Sequence, residues 1–155
     1  MIVTMILAMT PIYSEKTILK RGEYIMLSDS GEGAISVKVN IATQMAYIYR
    51  SKTIIAITSV STGKEGHDTP IGNFKIHGKV ANYMSKAYKA PMPYTQWITN
   101  DGIALHAGTI PYGAASHGCI RLPKDFAPIL FSLTNNGDSV TVYDRKPTIK
   151  LSWEI

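Results

Sequence analysis

From residue 35 the chain falls into a two-residue rhythm. Ile35, Val37, Val39 and Ile41 alternate with Ser36, Lys38 and Asn40, the pattern of a strand with one buried face. Residues 45–49 and 53–60 read as two further strands. Arg50, Ser51 and Lys52 between them predict a tight hairpin connection. Residues 63–68 form a polar loop. Thr69-Pro70-Ile71-Gly72 is a turn, and a strand resumes over 72–77. A short apolar strand is predicted over 102–106, ending at His106, and a last strand over 139–143. The period changes once. Phe126, Ile129, Leu130 and Leu133 fall at i, i+3, i+4 and i+7, the stripe of a short amphipathic helix. Pro128 is tolerated if Asp125 is the N-cap, because a proline in the first turn loses no helical hydrogen bond. Asn135-Asn136-Gly137 then stops the helix.

Two regions resist this reading. Residues 78–100 scatter Tyr83, Met84, Tyr88, Met92, Tyr94 and Trp97 around Ala90-Pro91-Met92-Pro93. Two prolines two apart argue against a helix or a central strand, so an irregular segment is expected, either a lid over a site or a packed loop. Residues 1–34 look peripheral. Lysines 16 and 20, Arg21 and Glu23 interrupt the apolar pattern, and residues 28–33 are a loop signal. Residues 1–9 are apolar but too short to span a bilayer. They lack a basic n-region and a small-x-small cleavage site, so a degraded export signal and a first strand or disordered start stay equally open. The strands dominate, no βαβ alternation or repeat appears, and a single mainly β domain is expected over 35–145, with a tail over 146–155.

Composition adds limits. With 155 residues, 45% hydrophobic and 17% charged, the chain is globular rather than disordered. The net charge is +5, which suits an anionic environment such as a cell envelope. The basic residues are dispersed, without the run that marks a nucleic-acid partner. No segment is long and apolar enough for a stable membrane span.

The chemistry concentrates in Ser116-His117-Gly118-Cys119-Ile120-Arg121, which holds the only cysteine, with His106 upstream. A thiol nucleophile needs a base to form the thiolate and donors to hold an oxyanion. Cys119 is the candidate nucleophile, and His106 or His117 the base. The amides of His117, Gly118 and Cys119 are candidate oxyanion donors. Gly118 suits a loop that must turn several N–H groups toward one point. His106 is the better base. His117 adjoins the cysteine, and neighbouring side chains of an extended segment point apart. His117 is therefore read as shaping the loop or touching substrate, and Ser116 as bonding within it. Arg121 could position a carboxylate or pin the loop through its guanidinium fork. Tyr94, Tyr83 and Met92 are candidates for a groove wall. His67 and His77 have no assigned role.

The chain resembles the L,D-transpeptidase catalytic domain of bacterial cell-wall enzymes. Ser116-His117-Gly118-Cys119-Ile120-Arg121-Leu122 and His106-Ala107-Gly108 carry the resemblance. Val60-Ser61-Thr62-Gly63, Thr69-Pro70-Ile71-Gly72-Asn73-Phe74, Gln44 and the Phe126-to-Gly137 tail add to it. The resemblance implies a β-sandwich and a thiol enzyme needing no metal or organic cofactor. Its partners would be peptidoglycan stem peptides in the periplasm or cell envelope. Cys119 would attack the carbonyl of the third stem residue, usually meso-diaminopimelate, and expel D-alanine. A second stem would resolve the acyl-enzyme into a 3→3 cross-link. In some relatives the acceptor is an envelope-protein lysine, a free D-amino acid or water, and carbapenems acylate the same cysteine. His106 would take the thiol proton, with the Ala107 carbonyl holding its tautomer. Three rivals remain: a zinc hydrolase using His106, His117 and Cys119, an L,D-carboxypeptidase, and a module that binds peptidoglycan without turnover.

Overall fold

The computed structural model describes residues 13–28 and 30–147. The apolar run over 1–9 and the end of the tail lie outside the described residues. The protein is mainly β, with ten strands and one short helix among the described residues: β1 (Tyr24–Met26), β2 (Ile35–Asn40), β3 (Met45–Arg50), β4 (Thr53–Ser59), β5 (Gly72–Lys75), β6 (Gly78–Ser85), β7 (Ala90–Trp97), β8 (Ala104–Ala107), β9 (Ile120–Leu122), α1 (Ala127–Leu133) and β10 (Ser139–Tyr143).

Two sheets divide the strands. The larger runs β1-β4-β3-β2-β10-β5 and the smaller β6-β7-β8-β9. The predicted alternation in β2 turns Ile35, Val37 and Val39 into a core shared with Leu105, Ile120 and Leu122 of the smaller sheet and Phe126 and Leu130 near α1. Most of these side chains are fully buried, and each contributes on the order of 2 kcal/mol by leaving water. The hairpin between β3 and β4 forms as expected, with Arg50 opposite Thr53 and an irregularity between Ile48 and Tyr49.

Strand β3 is buried on both faces. Ala46 and Ile48 face the main core, whereas Met45 and Tyr47 join a second cluster with Ile57, Tyr13 and Leu19. Residues 13–19 thus cover the outer face of the larger sheet. Their attachment is polar as well as apolar. Tyr47 donates its hydroxyl to the Thr17 carbonyl at 2.9 Å. The Glu15 carboxylate accepts from Lys38 Nζ at 2.8 Å, Tyr49 at 2.6 Å and Tyr143 at 3.2 Å.

The irregular segment expected over 78–100 is instead the β6–β7 hairpin. Its pairing runs from Gly78 opposite Trp97 to Ser85 opposite Ala90. The prolines are tolerated for a local reason. Strand β8 pairs only with Gln96 and Trp97, so around Pro91 and Pro93 one edge of β7 has no partner strand and needs no donor. In α1, Pro128 sits in the first turn as expected, but the N-cap is Phe126, which makes no side-chain cap. The Phe126 and Ala127 amides bond the Pro123 carbonyl at 3.0 and 2.9 Å, so a turn entered from Pro123 replaces the Asp125 cap.

Candidate active site

Parallel pairing of β8 and β9 sets Leu105 opposite Ile120 and His106 opposite Arg121. Side chains alternate along a strand. Leu105, Ile120 and Leu122 therefore enter the core, while His106, Arg121 and the preceding Cys119 share the other face. That face opens into a cavity of about 760 Å³. Ala107 and Ser116 to its sides, and Met92 and Tyr94 from β7, line it too. Tyr94 also packs edge-on against Phe131, at 5.5 Å between centroids. Tyr83 is not on the wall. It packs against Trp97 at 4.9 Å.

His106 is buried, and its Nδ1 lies 2.8 Å from the Ala107 carbonyl. A carbonyl only accepts, so Nδ1 carries the proton and Nε2 is the free, basic nitrogen. Burial pushes the His106 pKa down and the Arg121 charge adds to this, while the Ala107 carbonyl opposes it. Burial likewise pushes the Cys119 thiol up, against the Ala104 N–H and the Arg121 charge. Both shifts favour uncharged forms. Burial thus favours the neutral thiol and neutral imidazole over an ion pair. Cys119 Sγ also makes a weak contact, 3.7 Å to the Gly102 carbonyl.

The loop that presents Cys119 is held from beneath by residues 61–63. Ser61 exchanges backbone bonds with Arg121 at 3.1 and 2.9 Å, and the Thr62 carbonyl accepts from Ala115 and Ser116. Thr62 is itself fixed by Gln44, whose side chain accepts from the Thr62 amide at 3.0 Å and donates to its hydroxyl at 2.7 Å. Gly63 must lack a side chain, because a Cβ there would collide with the His67 carbonyl. The buried Thr69 hydroxyl accepts from the Gly63 amide at 2.9 Å and donates to the Gly118 carbonyl at 2.7 Å. The residues that carry the sequence resemblance outside the thiol segment thus form its scaffold.

That scaffold orients the amides. Ser116 Oγ accepts from the Gly118 amide at 3.1 Å and donates to the Cys119 carbonyl. Gly118 N–H is therefore engaged, whereas the His117 and Cys119 amides find no acceptor among the described residues. In a trans peptide the C=O and N–H point opposite ways. Drawing the Gly118 carbonyl to Thr69 thus turns the Cys119 N–H away from it. Gly118 has φ +120°, and an added Cβ would stand 2.7 Å from Ile103 Cδ1. Thr69→Val should leave the Gly63 amide and the Gly118 carbonyl buried without partners, destabilising the fold by about 2 kcal/mol. A midpoint shift in urea with unchanged slope would check it.

Two contacts were not visible in the sequence. The His117 ring stacks on Tyr88 at 4.7 Å and meets His67 edge-on at 4.9 Å. The hairpin tip and the 63–68 loop thereby close on the Cys119 segment, and no local pattern links residues so far apart in the chain. His77 lies elsewhere, 3.1 Å from the Thr99 carbonyl. Among the described residues no three His, Cys, Asp or Glu side chains gather as metal ligands. No helix among them is long and apolar enough to cross a membrane.

The two-sheet β fold thus sets Cys119 and a tautomer-fixed His106 on one face of the smaller sheet. Residues 34–142 match the L,D-transpeptidase catalytic domain family (YkuD), and the chain belongs to it. The structure resembles an L,D-transpeptidase from Stackebrandtia nassauensis, with 30% identity, a TM-score of 0.68, and coverage of 76% of this chain and 58% of that one. An L,D-transpeptidase from Mycobacterium smegmatis is 20% identical with a TM-score of 0.68, covering 71% of this chain and 58% of its own. L,D-transpeptidase 3 from Mycobacterium tuberculosis, solved with a faropenem-derived adduct, is 17% identical with a TM-score of 0.68, covering 72% and 60%. The last two share the fold. This chain spans 58% of the length of the first two relatives. Comparison with curated proteins gives no match.

Proposed function

We propose that this domain is a cysteine L,D-transpeptidase acting on peptidoglycan stem peptides in the cell envelope. The observation that carries the reading is the His106–Ala107 hydrogen bond of 2.8 Å, which leaves Nε2 unprotonated on the face that also presents Cys119. In this reading Nε2 takes the thiol proton as sulfur attacks the carbonyl of the third stem residue. The His117 and Cys119 amides hold the oxyanion, each such donor contributing about 3 kcal/mol of transition-state stabilisation. The protonated imidazole then gives its proton to the departing D-alanine amine. An acceptor amine, from a second stem or an envelope-protein lysine, loses its proton to His106 and displaces the sulfur. Tyr88, Met92 and Tyr94 wall the donor groove. No step requires a cofactor.

Because burial favours the neutral pair, proton transfer accompanies attack. His106 loses its basic form only as pH falls through a pKa held below the usual imidazole value. The acid limb of kcat/KM should therefore lie below about pH 6.5, and the rate should stay flat through neutrality. A pH–rate profile with an acid limb above pH 7 would contradict this assignment.

Mass spectrometry of disaccharide-tetrapeptide muropeptides incubated with the protein tests the function. Loss of D-alanine with a cross-linked dimer establishes transpeptidation. Loss of D-alanine with tripeptide alone makes the protein an L,D-carboxypeptidase. No change would sink both readings in favour of a binding module.

A further inference from the structure

The cavity wall is electrically one-sided. Arg121 and Lys124 line it, and among the described residues no Asp or Glu does. Among the described residues the single ion pair is Lys38–Glu15, on the outer face of the larger sheet, so neither cation is matched by a protein carboxylate. Asp125 follows Lys124 in the chain but is not on the wall.

The two cations differ in kind. Arg121 is half-buried, and its aliphatic stem lies flat on Gly108, where an added Cβ would stand 3.1 Å from Cγ and Cδ. It faces His106 across the β8–β9 pair. Lys124 is exposed, just beyond β9, and reaches the cavity from the rim. The opposite wall, with Pro91, Met92 and Pro93, is apolar. Unpaired cations facing a low-dielectric wall concentrate field into the cleft and attract an anion. A guanidinium and an ammonium together fit a carboxylate, the first by its fork and the second as a mobile point charge.

We propose that Arg121 and Lys124 form a carboxylate subsite beside Cys119, through which the protein prefers peptides with a free carboxylate near the scissile bond over the same peptides as carboxamides. The substrate preference rests on the donor reading above; the anion subsite itself does not. Two carboxylates of a stem tetrapeptide could fill it: the terminal carboxylate of D-alanine and the side-chain carboxylate of a diaminopimelate third residue.

Because Cys119 is the only thiol, its alkylation reports the local field without turnover. The ratio of iodoacetate to iodoacetamide rates should exceed that of glutathione. It should fall roughly two- to threefold in Lys124→Gln, about the effect of one unit charge at several ångströms in water, and shrink with added salt. Arg121→Lys, which keeps the charge, should preserve the ratio. An unchanged ratio in Lys124→Gln would overturn the subsite. Donor tetrapeptides amidated at the D-alanine terminus or at the third-residue side chain separate the two sources: the arm whose rate drops, and drops less in Lys124→Gln, identifies the carboxylate. Equal rates for both amides and the free acid would overturn the preference. A shifted alkylation ratio with no turnover of any peptide would overturn the donor reading while leaving the anion subsite standing.

Discussion

Cys119→Ala should form no covalent adduct with a tetrapeptide donor or a β-lactam and should release no D-alanine, a fall of roughly 10⁴- to 10⁶-fold in kcat/KM. Intact-protein mass spectrometry reads this cleanly, because the chain has one thiol. The fold should hardly notice. The thiol is half-buried and its bond to the Gly102 carbonyl is long at 3.7 Å, so the stability change should stay within about 1 kcal/mol. Loss of activity with an unchanged melting temperature would therefore report chemistry and not collapse. An adduct persisting in the alanine variant would place the nucleophile elsewhere.

His106→Ala should lower acylation by about 10²- to 10⁴-fold, the usual worth of a general base. The preference for a neutral pair makes this loss specific. Burial holds the thiol pKa up, so without an imidazole to accept the proton little thiolate exists at neutral pH. Raising the pH should restore part of the rate in the variant, because solvent then supplies the thiolate, whereas the wild type should gain much less. A variant whose deficit stays constant from pH 6 to pH 10 would show that His106 acts only by packing. His106→Gln, closer in volume to the buried imidazole, guards against a cavity artefact.

The fold was legible where period and burial agree. Strand β2 buries one face, so Ile35, Val37 and Val39 stand out against polar neighbours. Strand β10 likewise matches its predicted limits, Ser139–Tyr143. The hairpin of β6 and β7 was hidden because Pro91 and Pro93 read as breakers, and a sequence does not say which strand edge lacks a neighbour. The covering role of residues 13–19 was hidden for another reason. Their apolar side chains are too few to show a period, and they dock through Glu15 and Tyr47, whose partners lie more than twenty residues away. At the site, Cys119, His106 and Ser116 sit in a compact segment that advertises its chemistry by residue type. Lys124, His67 and Tyr88 carry no such mark, since only the fold brings His67 and Tyr88 onto His117 and Lys124 to the cavity rim. The engagement of Gly118 N–H by Ser116 belongs to the same class, because it depends on one hydroxyl rotor within a turn.

Strand order also bears on how the domain is made. The last strand, β10, is not at an edge. It lies between β2, which it meets in parallel, and β5, which it meets antiparallel. A fragment ending at Gly137 therefore lacks the strand that joins β5 to the rest of the larger sheet, leaving two raw edges and a core missing Val140 and Val142. Such long-range closure is slow relative to local hairpins. The nascent chain stays unclosed until the whole domain has emerged from the ribosome, whatever the state of its thiol segment. A growing chain of this topology remains pliable, and open to chaperones, until β10 has been made.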